Sequence, residues 1–310
     1  MNFLQIEPTN NCNQNCVMCT RRNLQRYGSM SMNGLRKIIG QIPDVKAVKL
    51  HGLGEPMLNP EIIPMIQYLR SQKIRVYSTI NGTILPEKIE DYINIVNRID
   101  FSIDTLDEGE FMIIRGVDCL NKVMENFRIL CAARKKRLKP PVYINSTMLN
   151  PDLKNIEKLF RLVKETKCDG INFYPVQNWT TKGNRKTHMV NKDKLQKIIE
   201  GIIRLSKKWR VRVSIQRGIC GYEKCKWASG GCYITWDGYV TPCSQRPDPD
   251  EINFGNIFES GFETIYNSNE YNEFRSSLLR GEPPEECKTC SIYKQAKVRN
   301  NALLNPVAIS

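Results

Sequence analysis

With 310 residues, a hydrophobic fraction of 41% and no run of about 18 apolar residues, the chain can bury a full core and has no segment able to span a bilayer as a helix. Forty-six Lys and Arg against 32 Asp and Glu give a formal charge of +14, which suits an acidic partner or an anionic substrate; no nucleic-acid-binding motif accompanies the basic runs ARKKRLK (133–139) and Lys182 to His188. The start MNFLQIEPTNNC lacks the features of an export signal, so a cytoplasmic protein is expected, and in that reducing compartment the 12 cysteines read as metal or redox ligands rather than disulfides.

Short apolar segments alternate with longer amphipathic ones up to about residue 205. FLQIEP, AVKLHG, IRVYSTI, RIDFSID, PVYINSTML and GINFYPV read as strands, and IIPMIQYLRSQ, NKVMENFRILCAA and LKNIEKLFRLVKE carry helical periodicity. Six βα units predict an α/β protein, a partial (β/α)6 TIM-like barrel over residues 1–208. Chemistry in such a barrel gathers just after the strands, where Cys12, Gly52, Asn81 and Asp104 fall. From residue 209 the pattern changes to VRVSI, a cysteine-rich loop, a hairpin YITWDGYV turned at Asp-Gly, one helix over FETIYNSNEYNEFRSSLLR, and Pro-Pro before Cys287 and Cys290. Residues 209–310 are therefore expected to form a second, small domain.

CNQNCVMC places Cys12, Cys16 and Cys19 within eight residues of the loop after the first strand. A structural zinc site takes four protein ligands, whereas three thiolates on a 4Fe–4S cube leave one iron open. C-x3-C-x2-C at this place in a βα barrel resembles the radical S-adenosylmethionine superfamily, and the likeness covers roughly residues 1–205. The resemblance implies that the open iron is chelated by S-adenosylmethionine and that an electron from the cluster cleaves the sulfonium to a 5′-deoxyadenosyl radical.

The same resemblance implies roles for further residues. Met18 matches the apolar position beside the adenine. GLGEP, with Gly52, Gly54 and Glu55, resembles the element whose backbone meets the methionyl amino group. FSIDTLDEGEFMIIRG resembles a Ser-x-Asp stretch followed by Arg-Gly, which makes Ser102 and Arg115 contacts to the methionyl carboxylate or ribose and turns Asp104 toward ribose or substrate. An N-cap of the next helix is the alternative for Ser102 and Asp104. STINGT places Asn81 at the cavity wall, with an ordinary Asn-Gly turn as the alternative.

Near the other end, Cys225 and Cys243 enclose the hairpin with Gly238, and Cys287-x2-Cys290 follows. This resembles the twitch domain, a shortened SPASM domain of β-hairpin plus helix, and implies a second, auxiliary 4Fe–4S cluster held by these four thiolates. Cys232 is a competing ligand by its spacing, and Cys220 is left over; both are either buried thiols or hydrogen-atom donors to a substrate radical.

Together these features lead to an enzyme that abstracts a substrate hydrogen, most simply oxidising a carbinol or other C–H of a small or carbohydrate-like substrate. A radical epimerase using Cys232 or Cys220 and a ribosomal-peptide maturase are the alternatives within the family. Cys12 stands too near the start for a peptide-recognition domain to precede it, which favours the small substrate. Outside the family, a non-catalytic iron–sulfur or zinc protein binding RNA remains, and the three-cysteine front set argues against it. The positive charge leads to an acidic flavodoxin or ferredoxin as electron donor.

Overall fold

The computed structural model describes residues 3–134, 139–176, 192–215, 225, 227–288 and 290. The six expected βα units are all present. The strands are β1 (Phe3–Ile6), β2 (Ala47–Leu50), β3 (Arg75–Ile80), β4 (Arg98–Ser102), β5 (Val142–Met148) and β6 (Gly170–Pro175). Helices α1 (Met32–Gly40), α2 (Ile62–Ser71) and α3 (Ile89–Ile95) follow the first three strands; α4 (Glu108–Arg115) and α5 (Leu120–Ala133) follow β4, α6 (Leu153–Thr166) follows β5, and α7 (Lys192–Trp209) follows β6.

The sheet extends past these six strands at both edges. Strand β7 (Val213–Ile215) pairs parallel with β6, and β8 (Gly231–Ile234) pairs parallel with β1, Leu4 standing opposite Cys232. With β9 (Val240–Thr241) antiparallel to β8, the order is β7-β6-β5-β4-β3-β2-β1-β8-β9, an open, mostly parallel barrel. The Asp-Gly hairpin forms as expected: Gly238 takes a positive φ of 93°, and the Thr235 hydroxyl donates to the Asp237 carboxylate at 2.6 Å.

The helix expected over 262–280 is divided into α9 (Phe262–Tyr266) and α10 (Asn269–Arg280), after a short α8 (Ile257–Ser260) and before α11 (Glu285–Lys288). Ser268 causes the break. Its hydroxyl accepts the Tyr271 amide, an N-cap that starts a new helix where the helical pattern alone would run on.

Strand alternation separates two faces. On the helix side lie fully buried apolar residues, among them Leu4, Ile6, Val48, Val76, Phe101 and Phe173; Phe101 meets Phe127 of α5 edge-on at 4.9 Å. The opposite, concave side is polar. Asn172 donates to Asn145 at 2.8 Å across β6 and β5, and Arg98 bonds Asp100 at 2.7 Å while lying over the Tyr143 ring at 4.2 Å. A lumen of this kind is built to hydrogen-bond something polar rather than to fill itself with Leu and Val.

Candidate active site

The loop after β1 is fastened before it reaches the first cysteine. Glu7 accepts the Leu53 amide at 2.8 Å and the Tyr233 hydroxyl at 2.7 Å; Asn59 donates to the carbonyls of Pro8 (2.7 Å) and Met30 (2.9 Å). The Glu55 amide donates to the Asn11 carbonyl at 2.8 Å. At Gly54 a Cβ would stand 2.4 Å from the Thr9 carbonyl oxygen and 2.5 Å from that of Asn11, so only glycine lets the two loops touch. The Gly52 position is similar, its missing Cβ replaced by the Glu7 side chain. Both glycines thus serve contact between loops of the protein itself.

Cys12, Cys16 and Cys19 follow on this fastened segment, all partly buried. Burial raises the Cys12 pKa, and it pushes Cys19 up to about 11, with the charges of Cys16 and Cys12 adding to the rise. Thiolates this close and this dry repel one another until a cation compensates them. Donors are already aimed at the sulfurs: the Gln14 amide (3.5 Å) and Asn81 Nδ2 (3.8 Å) at Cys12, and Arg115 Nη1 (3.9 Å) at Cys16. Such donors favour the thiolate form and orient metal ligands. Among the described residues no three His, Cys, Asp or Glu side chains converge as they would on a single ion. The thiolates of a four-iron cube bind separate corners, so the trio with its donors fits a cluster.

Helix α4 brings Arg115 to this loop. Asp107 caps its start by accepting the Glu110 amide, which displaces Ser102 and Asp104 from the N-cap position considered above. At its other end the carbonyls of Ile114 and Arg115 accept the amides of Val17 and Asn15, both at 2.9 Å, so the open end of the helix is closed by the cysteine loop. The buried Arg115 guanidinium meets Asp104 at 2.7 Å and Gln14 Oε1 at 3.4 Å. Asp104 in turn accepts the Thr147 amide at 2.7 Å, and burial raises its pKa against the pull of Arg115. Arg115 and Asp104 therefore hold each other and the cluster loop, a use that the motif likeness did not reveal. Gln14, which also donates to the Cys119 thiol, went unnoticed in the sequence because nothing in CNQNC separates it from a loop filler.

Glu55 is fully enclosed. Its carboxylate accepts the amides of Asn81 (2.6 Å) and Met57 (3.1 Å), and burial pushes its pKa up to about 7. Asn81, besides facing Cys12, donates to Asn13 at 2.9 Å and accepts the Thr83 hydroxyl at 2.7 Å. Met18 and Ser102 are partly exposed, Ser102 on the lumen side of β4, opposite the buried Phe101.

The rear thiols also assemble. Burial raises Cys243 well above the usual thiol value, and Cys225, Cys290 and Cys287 each raise it further; burial likewise pushes Cys287 up to about 12, with Cys290 and Cys225 adding to it. Arg246 ties the two segments by donating to the Glu286 carbonyl at 2.8 Å. Cys232 stays outside this group. It sits with Leu4 on the helix side of the sheet, fully buried in the apolar core, and faces away from the lumen, the buried-thiol alternative of the two considered above. Cys220 lies outside the described residues.

The radical SAM superfamily matches residues 6–163, and the SPASM iron–sulfur cluster-binding domain matches residues 225–291, spanning Cys225, Cys243, Cys287 and Cys290. The chain is 23% identical over 321 residues to the tungsten-containing aldehyde ferredoxin oxidoreductase cofactor-modifying protein of Pyrococcus furiosus, covering 94% of this chain and 88% of that one. It is 25% identical over 325 residues to the AdoMet-dependent heme synthase of Methanosarcina barkeri, again over 94% and 88%. The structure of anSMEcpe with bound AdoMet and Cp18Cys peptide shares the fold at a TM-score of 0.70 and 19% identity, over 95% of this chain and 87% of that one. S-adenosylmethionine, a 4Fe–4S cluster and auxiliary iron–sulfur binding accordingly belong to this protein. The chain is a member of the radical SAM superfamily, an enzyme of that family carrying a C-terminal SPASM domain.

Proposed function

We propose that the protein oxidises a C–H bond of a polar substrate held in the barrel lumen, with loss of two hydrogens and no return of one from Cys232. The position of Cys232 carries this reading: on the helix side of β8 it is buried away from the cavity, so it cannot quench a substrate radical there. When bound, S-adenosylmethionine and the clusters would supply the radical that removes the first hydrogen atom and an acceptor for the second electron, the accompanying proton leaving to water. The chain's own work is to fasten the cysteine loop through Glu7, Gly54 and Arg115, to shield the thiolates, and to hydrogen-bond the substrate through lumen groups such as Asn145 and Ser102. A peptide substrate is the second reading, favoured by the Asn145 and Asn172 amides in the lumen, which suit a backbone, and by the peptide in the anSMEcpe structure. An acidic flavodoxin or ferredoxin is the proposed donor for a chain of charge +14, and reduction should slow as salt rises.

Turnover of a substrate-containing extract in deuterated water tests the reading. A product lighter by two hydrogens, with no solvent deuterium at carbon, is expected; deuterium incorporated at an inverted carbon would overturn it.

A further inference from the structure

Lys49 occupies an unusual place in β2. Its neighbours Val48 and Leu50 are fully buried on the helix side, so alternation turns Lys49 and His51 into the lumen. The side chain is only partly exposed within the barrel, and burial pushes its pKa down, with Asp100 opposing and Arg98 lowering it further. Among the described residues no hydrogen bond or ion pair reaches it. Asp100, the nearby anion, is already bonded to Arg98 at 2.7 Å. An ammonium in the lumen whose nearby anion is committed to Arg98 is placed to pair with an anionic group of a ligand.

Two unpartnered polar atoms lie in the same part of the lumen. Thr79 is 5% exposed and stands opposite Asp100, with its hydroxyl buried and unbonded; the Nδ1 atom of His51, the residue just past the end of β2, is likewise buried without a hydrogen-bond partner. Lys49 pairs in register with Tyr77, so Thr79 is its diagonal neighbour, within reach of a long side chain. Burial, with the charge of Lys49, holds His51 neutral by pushing its pKa down to about 3. The group therefore offers one positive charge and two neutral polar atoms.

We propose that Lys49, with Thr79 and His51, binds a carboxylate of the substrate and so sets the substrate class as a carboxylic acid. A monoanion matches the charge: Lys49 and Arg98 against Asp100 leave one positive unit, and a dianion such as a phosphate monoester would press its second charge against Asp100. The inference rests on reading the lumen as the substrate site. It deepens that reading by naming what the substrate must carry.

Fluorine NMR of 4-fluorobenzoate and 4-fluorobenzamide, added separately to the cluster-reconstituted full chain with S-adenosylmethionine, tests it. The benzoate line should broaden and the benzamide line should not. In Lys49→Met the benzoate should bind about tenfold more weakly or worse, and in Thr79→Val about threefold more weakly, as expected for losing a charged and a neutral partner. Iron content and thermal unfolding show whether each variant is folded, and the isosteric Thr79→Val decides the matter should Lys49→Met fail to fold. Equal broadening of both probes, no broadening of either, or benzoate broadening that survives both substitutions overturns the proposal. Cleavage of S-adenosylmethionine by the unaltered enzyme is measured in parallel; cleavage without probe discrimination refutes the carboxylate site alone and leaves the enzymatic reading standing.

Discussion

Replacing Arg115 by Met removes the charge that compensates Asp104. The pair is buried, with side-chain exposures of 8% and 1% and a separation of 2.7 Å, so water cannot take the place of the guanidinium. One donor to the carboxylate remains, the Thr147 amide at 2.7 Å. Stranding one member of a buried pair costs about 3–5 kcal/mol, which sets the expected loss of stability near pH 7.5. The cost depends on pH in a definite direction. Burial already raises the Asp104 pKa, and without Arg115 it rises further. An acid whose folded pKa is raised contributes stability below its unfolded pKa and loses it as pH rises through the folded one, so the variant should recover as pH falls toward 5. Denaturant unfolding of the full chain at pH 5 and 7.5 reads both effects, and Asp104→Asn combined with Arg115→Met should recover part of the loss at pH 7.5. A cost below about 1 kcal/mol at both pH values, the level of an exposed ion pair, would refute the claim that this pair is dry.

Other expectations concern single positions. His51, depressed from 6.5 to about 3, contributes stability above pH 6.5 that is lost as pH falls toward the folded value, so about 2 kcal/mol should disappear between pH 8 and pH 5 and His51→Gln should flatten that slope; unchanged slopes in denaturant titrations would show a solvated imidazole. Gly54→Ala forces a Cβ against two carbonyl oxygens and should cost about 1–3 kcal/mol or more in thermal unfolding, together with loss of iron from the front site. Cys243→Ala should lower bound iron to about half, whereas Cys232→Ala should keep the iron and lose about 1–3 kcal/mol of core packing; the reverse pattern of iron contents would exchange their roles.

The six βα units were legible because alternating and helical apolar patterns are local, and the two cysteine groups because ligand spacing is local too. Edge pairings were not. That β8 lies against β1 depends on contact between segments far apart in the chain, Phe3–Ile6 and Gly231–Ile234, which no window of sequence contains. GCYI shows that Cys232 and Tyr233 face opposite sides, yet only the pairing with Leu4 tells which side is the core. The Ser268 cap was readable in principle, as a hydroxyl between two helical stretches, but the unbroken apolar pattern of FETIYNSNEYNEF outweighed it. Gly52 and Gly54 read in the sequence as backbone open to a ligand; the fold adds that Glu7 and two carbonyls lie where a side chain would stand. Lys49 had a signal, a charged residue between two core positions in AVKLHG, and its meaning needed the lumen around it.

Reductive cleavage of S-adenosylmethionine by the reconstituted chain, measured alongside iron content, bears on whether the Cys12–Cys19 loop is the catalytic centre. The unaltered protein should bind about eight iron and release 5′-deoxyadenosine under dithionite, as two four-iron clusters require, and Cys12→Ala/Cys16→Ala/Cys19→Ala should hold about half the iron and cleave nothing. Cleavage retained by the triple variant would contradict it.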